Sequence, residues 1–111
     1  MYLKNPATTN EIPLDQKLNL ETARINWHEL QIHFARGICI YVAPRLDLIN
    51  IAYNIATNKS AAIALLIQEG KISKVSDIMA QQYFDCNQAM WAVVVRPYVL
   101  VQPDQTIVEN D

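Results

Sequence analysis

The end of the chain constrains the fold most. From Ala89 to Gln102 the residues are nearly all β-branched, aromatic or small and apolar: Trp91-Ala92-Val93-Val94-Val95, then Tyr98-Val99-Leu100-Val101, broken by Arg96-Pro97. Such residues fit the pleated, buried surface of a sheet. Arg-Pro is a poor two-residue hairpin loop, because the favoured hairpin turns take positive φ and proline is fixed at roughly −65°. The segment therefore reads as a kinked edge strand, or as a bend around a cis Pro97. Proline has no N–H to give a ladder, which assigns the strand to an edge. Tyr98 to Val101 lacks the lysines that usually blunt an exposed edge, so a second copy is expected to cover it by strand addition or face packing.

A second strand is expected at Ile38 to Ala43, a short run with β-branched and aromatic residues between Gly37 and Pro44. The remaining pattern is helical. Leu14, Leu18, Thr22 and Ile25 recur at helical spacing and predict a helix over 14–25. Asn26 with Glu29 forms a variant capping box, and Gly37 supplies the stop of a helix over 27–36. Asp47 caps a third helix to about Thr57, Ser60 a fourth that ends at Gly70, and Ser76 a fifth to about Asn87. The fold class is α+β: about five helices on a small two- or three-stranded sheet built from 38–43 and 89–102.

Composition narrows the function. The 111 residues suit one domain, with a body at about 14–102 and flexible tails at either end, where Asn-Pro, Ile-Pro and an acidic Pro-led stretch show no periodicity. The chain is 51% apolar and 18% charged, so a hydrophobic core suffices without metal or disulfide staples. With Gly37 and Gly70 as the two glycines, Gly-rich phosphate loops and the dinucleotide fingerprint are excluded. Net charge is −2 and the basic residues are scattered, which argues against nucleic-acid partners. No stretch reaches the ~18 apolar residues of a membrane span. Cys39 and Cys86 sit in or beside apolar runs and read as reduced core thiols, so the expected compartment is the cytoplasm.

Candidate sites are few. His28-Glu29-Leu30-Gln31-Ile32-His33 is one residue longer than a zinc-protease HExxH. Histidines at i and i+5 stand about 140° apart on a helix and cannot share a metal from it; no metal, cofactor or catalytic residue is expected. The third helix carries a narrow amide face, Asp47, Asn50, Asn54, Thr57 and Asn58, able to hydrogen-bond a ligand or simply to face water. Arg36, Arg45, Asp47 and Arg96 flank strands and loops, and would hold an anionic small molecule if they converged. The fourth helix has seven apolar residues in a row, Ala61 to Ile67, and so calls for cover on all sides. That makes Ile63, Leu66, Ile67, Tyr98, Val99 and Val101 interface candidates. Ser60, Ser73 and Ser76 are capping or loop residues with no nearby histidine.

Three stretches together resemble the bacterial family known as domain of unknown function 2288: LNLETARINWHELQIHFARG (Leu18 to Gly37), LDLINIA (Leu46 to Ala52) and WAVVVRPYVLVQ (Trp91 to Gln102). The resemblance spans roughly residues 16 to 102. Tyr98 stands where the pattern suggests tryptophan, a swap that keeps an aromatic. The family has no assigned activity, so the resemblance implies no catalytic residue. The sequence reading is thus a cytosolic, non-enzymatic homodimer or interaction module, with an anionic-ligand binder or enzyme as the alternative.

Overall fold

The strand-type stretch at the end of the chain is two strands rather than one. Ala89–Val95 and Tyr98–Pro103 pair antiparallel from Val95 opposite Tyr98 to Met90 opposite Pro103. The two-residue loop is Arg96-Pro97, whose peptide bond is cis. The hairpin argument against Arg-Pro holds for turns that need positive φ; a proline in cis at the third position makes a type VI turn, which does not.

The computed structural model describes residues 12–105. In chain order its elements are α1 (Leu14–Glu21), β1 (Ala23–Asn26), α2 (Trp27–Ala35), β2 (Cys39–Val42), α3 (Leu48–Ala56), α4 (Ser60–Gln68), β3 (Ile72–Lys74), α5 (Asp77–Cys86), β4 (Ala89–Val95) and β5 (Tyr98–Pro103). Of the expected flexible tails, 1–13 and 103–111, residues 1–11 and 106–111 lie outside the described residues, whereas Pro103 belongs to β5 and Asp104 is buried. The class is α+β with five helices, but the sheet has five strands in the order β1-β4-β5-β2-β3, which corrects the expected two or three.

The correction has two sources. Residues 23–26 are not the last turn of the first helix. That helix stops at Glu21, where the Thr22 hydroxyl donates to the Leu18 carbonyl at 2.7 Å, and Ile25 pairs opposite Met90. Three-residue β3 runs antiparallel to β2, with Val42 opposite Ile72. The edge assignment of 98–102 falls as well. β5 is the middle strand, antiparallel to β4 and parallel to β2, with Cys39 opposite Val99 and Tyr41 opposite Val101. Pro97 escapes the rule against proline in central strands because it sits in the turn.

Alternation along the strands feeds two cores. Leu100, Val93, Val95, Val42 and Ile72 meet Leu18, Leu48, Ile51 and Ala52 on the face covered by α1, α3 and α4. Met90, Ala92, Val99, Val101 and Cys39 meet Trp27, Leu30 and Ala80 on the face covered by α2 and α5. Trp27 is fully buried and packs against the rings of Phe34 and Tyr83, with centroids at 5.8 and 5.3 Å.

Four helices end alike. Gly37, Asn58, Gly70 and Asn87 take positive φ. In each case the residue after the left-handed one donates its N–H back five positions, as Ile38 to His33 and Lys71 to Leu66, closing a Schellman motif. Both glycines are spent as helix stops. The expected capping of α2 is built differently. Asn26 occupies the N-cap position without capping by its side chain. Its amide donates to the Asn87 carbonyl at 3.1 Å, and Asn87 Oδ1 accepts the His28 N–H at 2.9 Å. One asparagine thus ends α5 and caps α2. Asn87→Gly keeps the backbone and loses the cap, an expected cost of about 1 kcal/mol; Asn87→Ala adds the left-handed penalty of a further ~1–2 kcal/mol. Urea unfolding of the two variants checks the order, and equal losses would refute it.

Candidate functional site

Residues at the start of α1 and the start of α3 face each other across a groove that continues onto the sheet. Its outer part, a cavity of about 550 Å³, is lined by Pro13, Leu14, Asp15, Asp47, Ile49, Asn50 and Tyr53. Past Asp47 and Ile49 it runs into a hollow of about 310 Å³ over the strands, bounded by Asn19, Thr22, Trp91 and Gln102. Asp47 is held as the N-cap of α3, its Oδ1 accepting the Asn50 N–H at 3.2 Å. Asn54 donates to the Asn50 side chain at 3.4 Å. Trp91 and Gln102 stand opposite each other on β4 and β5. The Gln102 amide nitrogen donates to the carbonyls of Ala43 and Leu46 at 2.9 and 2.7 Å, tying the loop before α3 to the middle strand.

The groove collects Asp47 and Asn50 of the expected ligand set, but the arginines do not converge on it. Arg36 and Arg96 each precede by three positions the paired residues Cys39 and Val99, and so lie at one end of the sheet. Arg45 lies with Asp47 beyond the other end of β2. All three are exposed. Missed in the sequence were Asp15, Asn19, Trp91 and Gln102. A glutamine in an apolar strand was the available signal for the last.

The interface candidates divide in the same way. Val99 and Val101 belong to the interior, and Ile63 and Leu66 are the half-buried, core-facing residues of α4. Ile67 is exposed, as is Tyr98 beside the hairpin turn. The outward face of α4 is Ala61, Ala64, Leu65 and Gln68, which the sequence reading did not single out. Every residue of this uncharged, apolar helix escapes full burial.

Neither histidine approaches a metal set: His28 Nε2 lies 2.9 Å from the Phe84 carbonyl and its ring stacks on Phe84. Among the described residues no three His, Cys, Asp or Glu side chains group together, and no helix is long and apolar enough to cross a membrane. Burial pushes the Cys39 thiol up to about 11, and burial followed by the neighbouring Tyr41 pushes the Tyr83 hydroxyl up to about 12. Both stay protonated at neutral pH, which suits core packing. The other described thiol, Cys86, is exposed, contrary to the reading of both as core cysteines. A chromogenic disulfide reagent at mildly alkaline pH is expected to titrate Cys86 rapidly and Cys39 only after denaturation; rapid reaction of both in the native protein would show that β2 opens.

Comparison with known proteins bears on the whole body. The profile of a family described as protein of unknown function (DUF2288) matches residues 13–103. The solution structure, by NMR, of PA1075 from Pseudomonas aeruginosa is similar at 35% identity, covering 92% of this chain and 91% of that one, with a TM-score of 0.72. No match was found among curated proteins.

Proposed function

Taking as premise that the chain belongs to the DUF2288 family, we propose that it is a small cytoplasmic, non-enzymatic protein that works by pairing with a second copy of itself through the outer face of α4. One observation carries the reading: a helix with seven consecutive apolar residues buries none of them fully. Leu65 and Ile67 are left 56% and 54% exposed. They stand about 160° apart around the helix, so Leu65, with Ala61 and Ala64 beside it, marks the outer face and Ile67 its flank; apolar surface left open to water favours association.

The mate is a second copy because the face is self-complementary. Lys59 precedes the helix and Glu69 follows it, with no charge between. Two α4 helices antiparallel about a two-fold axis bring each Lys59, which lies over its own Tyr53 ring, toward the partner's Glu69, which it would share with Lys71, and Ala61 and Ala64 permit close approach. Isologous pairing of this kind is the commonest form of oligomer. One pair of short helices buries less than the ~800 Å² per partner of a standard interface, so the pair is expected to be weak and to draw on β3, the edge strand beside α4. The free thiols among the described residues accord with a reducing compartment.

Size-exclusion chromatography with light scattering at about 100 µM, a concentration that populates a micromolar dimer, is expected to give twice the chain mass. Leu65→Glu is expected to give the monomer with a melting temperature unchanged to within a few degrees, as for an exposed position. A monomeric wild type, or a Leu65→Glu dimer, would overturn the reading.

A further inference from the structure

We propose that the groove between α1 and α3 binds a small organic cation bearing N–H donors, an alkylamine or a guanidine. Gln102 is a polar side chain in the lining of the inner hollow. It is 8% exposed, on the middle strand of the sheet, where a polar side chain needs partners. Both of its amide protons are used, on Ala43 and Leu46. What remains to line the hollow is Oε1, an acceptor that takes no hydrogen bond from the described residues.

The surroundings add acceptors of the same sense. Asp15 and Asp47 line the outer cavity together, and Asp47 commits Oδ1 to its helix cap. No lysine or arginine lines these cavities among the described residues. Beside Gln102 the floor is Trp91, 37% exposed on the adjacent strand, and an indole face attracts a cation. The site therefore offers carboxylates, an amide oxygen free of protein donors and open to water, and an aromatic surface. An anion would meet the two carboxylates. A bare metal ion would lack the three-ligand group that the described residues do not form. A cation that donates several hydrogen bonds satisfies all the parts.

The test is N–H correlation spectroscopy on the nitrogen-labelled full chain, titrated with agmatine and with diaminobutane. The Trp91 indole signal is identified by its loss in Trp91→Phe. A saturable shift of that signal and of the Asn50 and Gln102 side-chain amides is expected. Asp47→Asn preserves the helix cap, since asparagine caps as well as aspartate; it is expected to weaken binding about fivefold, the upper range for an exposed ion pair, and Asp15→Asn to weaken it similarly. Tetramethylammonium, a cation without N–H donors, is expected to bind more weakly than either probe. Absence of a saturable shift up to about 10 mM, beyond the millimolar range of weak ligands, would overturn the proposal. So would unchanged titrations of both variants, or equal shifts from succinate or from sodium chloride at matched ionic strength.

Discussion

Val101→Lys is expected to yield no folded protein at room temperature, while Val94→Lys on the same hairpin folds and melts like the parent. Val101 is fully buried on the middle strand, opposite Ala92 on one side and Tyr41 on the other. Its methyl groups enter the core that holds Trp27 and Leu30. A lysine there must either bury a charge, at several kcal/mol, or give up its proton in an apolar site. A domain of this size has about 5–15 kcal/mol in total, and the loss of valine packing is added to the charge penalty. Val94 points out of the same face two residues along β4 from Ala92 and is exposed, so lysine there costs no more than a few tenths of a kcal/mol. Far-ultraviolet circular dichroism and the soluble fraction on expression check both. If 98–102 were an edge covered by a second copy, Val101→Lys would instead give a folded monomer. Recovery of such a monomer would contradict the central placement of β5.

The contrast shows what could be read in the sequence. Asp47 and Ser76 cap α3 and α5 as expected, and Gly37 and Gly70 stop α2 and α4; Asn26 marks the start of α2 without capping by its side chain, and Ser60 is the first residue of α4 rather than its cap. These are local signals, decided within one or two turns of backbone. β1 and β3 have four and three residues, too few to show alternation, and they exist because β4 and β2 offer ladders to them. Ile25 fitted a helical period by coincidence and was claimed by Met90. The bend around a cis Pro97 was one of the two expected forms and is the one present; that it closes a two-residue hairpin was hidden by a turn type that the positive-φ rule does not cover. The groove was half legible. The amide face of α3 was visible as a stripe, whereas Asp15, Trp91 and Gln102 reach it through the packing of α1 and two strands. The arginines could be named from their positions at strand ends, but which end each occupied depended on β2 and β5 running parallel.

A chain ending at Gln102 is expected to melt on the order of 10–20 °C below one ending at Gln105, because the residues that follow Gln102 belong to the body. They read as the start of an acidic tail, yet Pro103 completes β5 and Asp104 is buried. The Asp104 N–H donates to the Ala89 carbonyl at 2.9 Å, its carbonyl accepts from the Gln88 side chain at 3.3 Å, and its carboxylate takes the Arg24 Nε–H at 2.6 Å. Those bonds lock the outer pair β1 and β4 to the end of β5. Removing them unpairs polar groups that are partly shielded from water, about 1–3 kcal/mol each. The ion pair can be isolated by Arg24→Met, which keeps much of the aliphatic stem. Its side chain is 43% exposed against 3% for Asp104, so water reaches the orphaned carboxylate from the arginine side. The expected loss is therefore about 2 kcal/mol rather than the ~3–5 kcal/mol of a fully buried pair. Arg24→Lys should recover only part of it, since an ammonium cannot reproduce the directed Nε–H contact. Thermal melts of the four proteins order these effects. A chain ending at Gln102 that melts with the longer one would mean that β1 and β4 hold together without the Asp104 clasp.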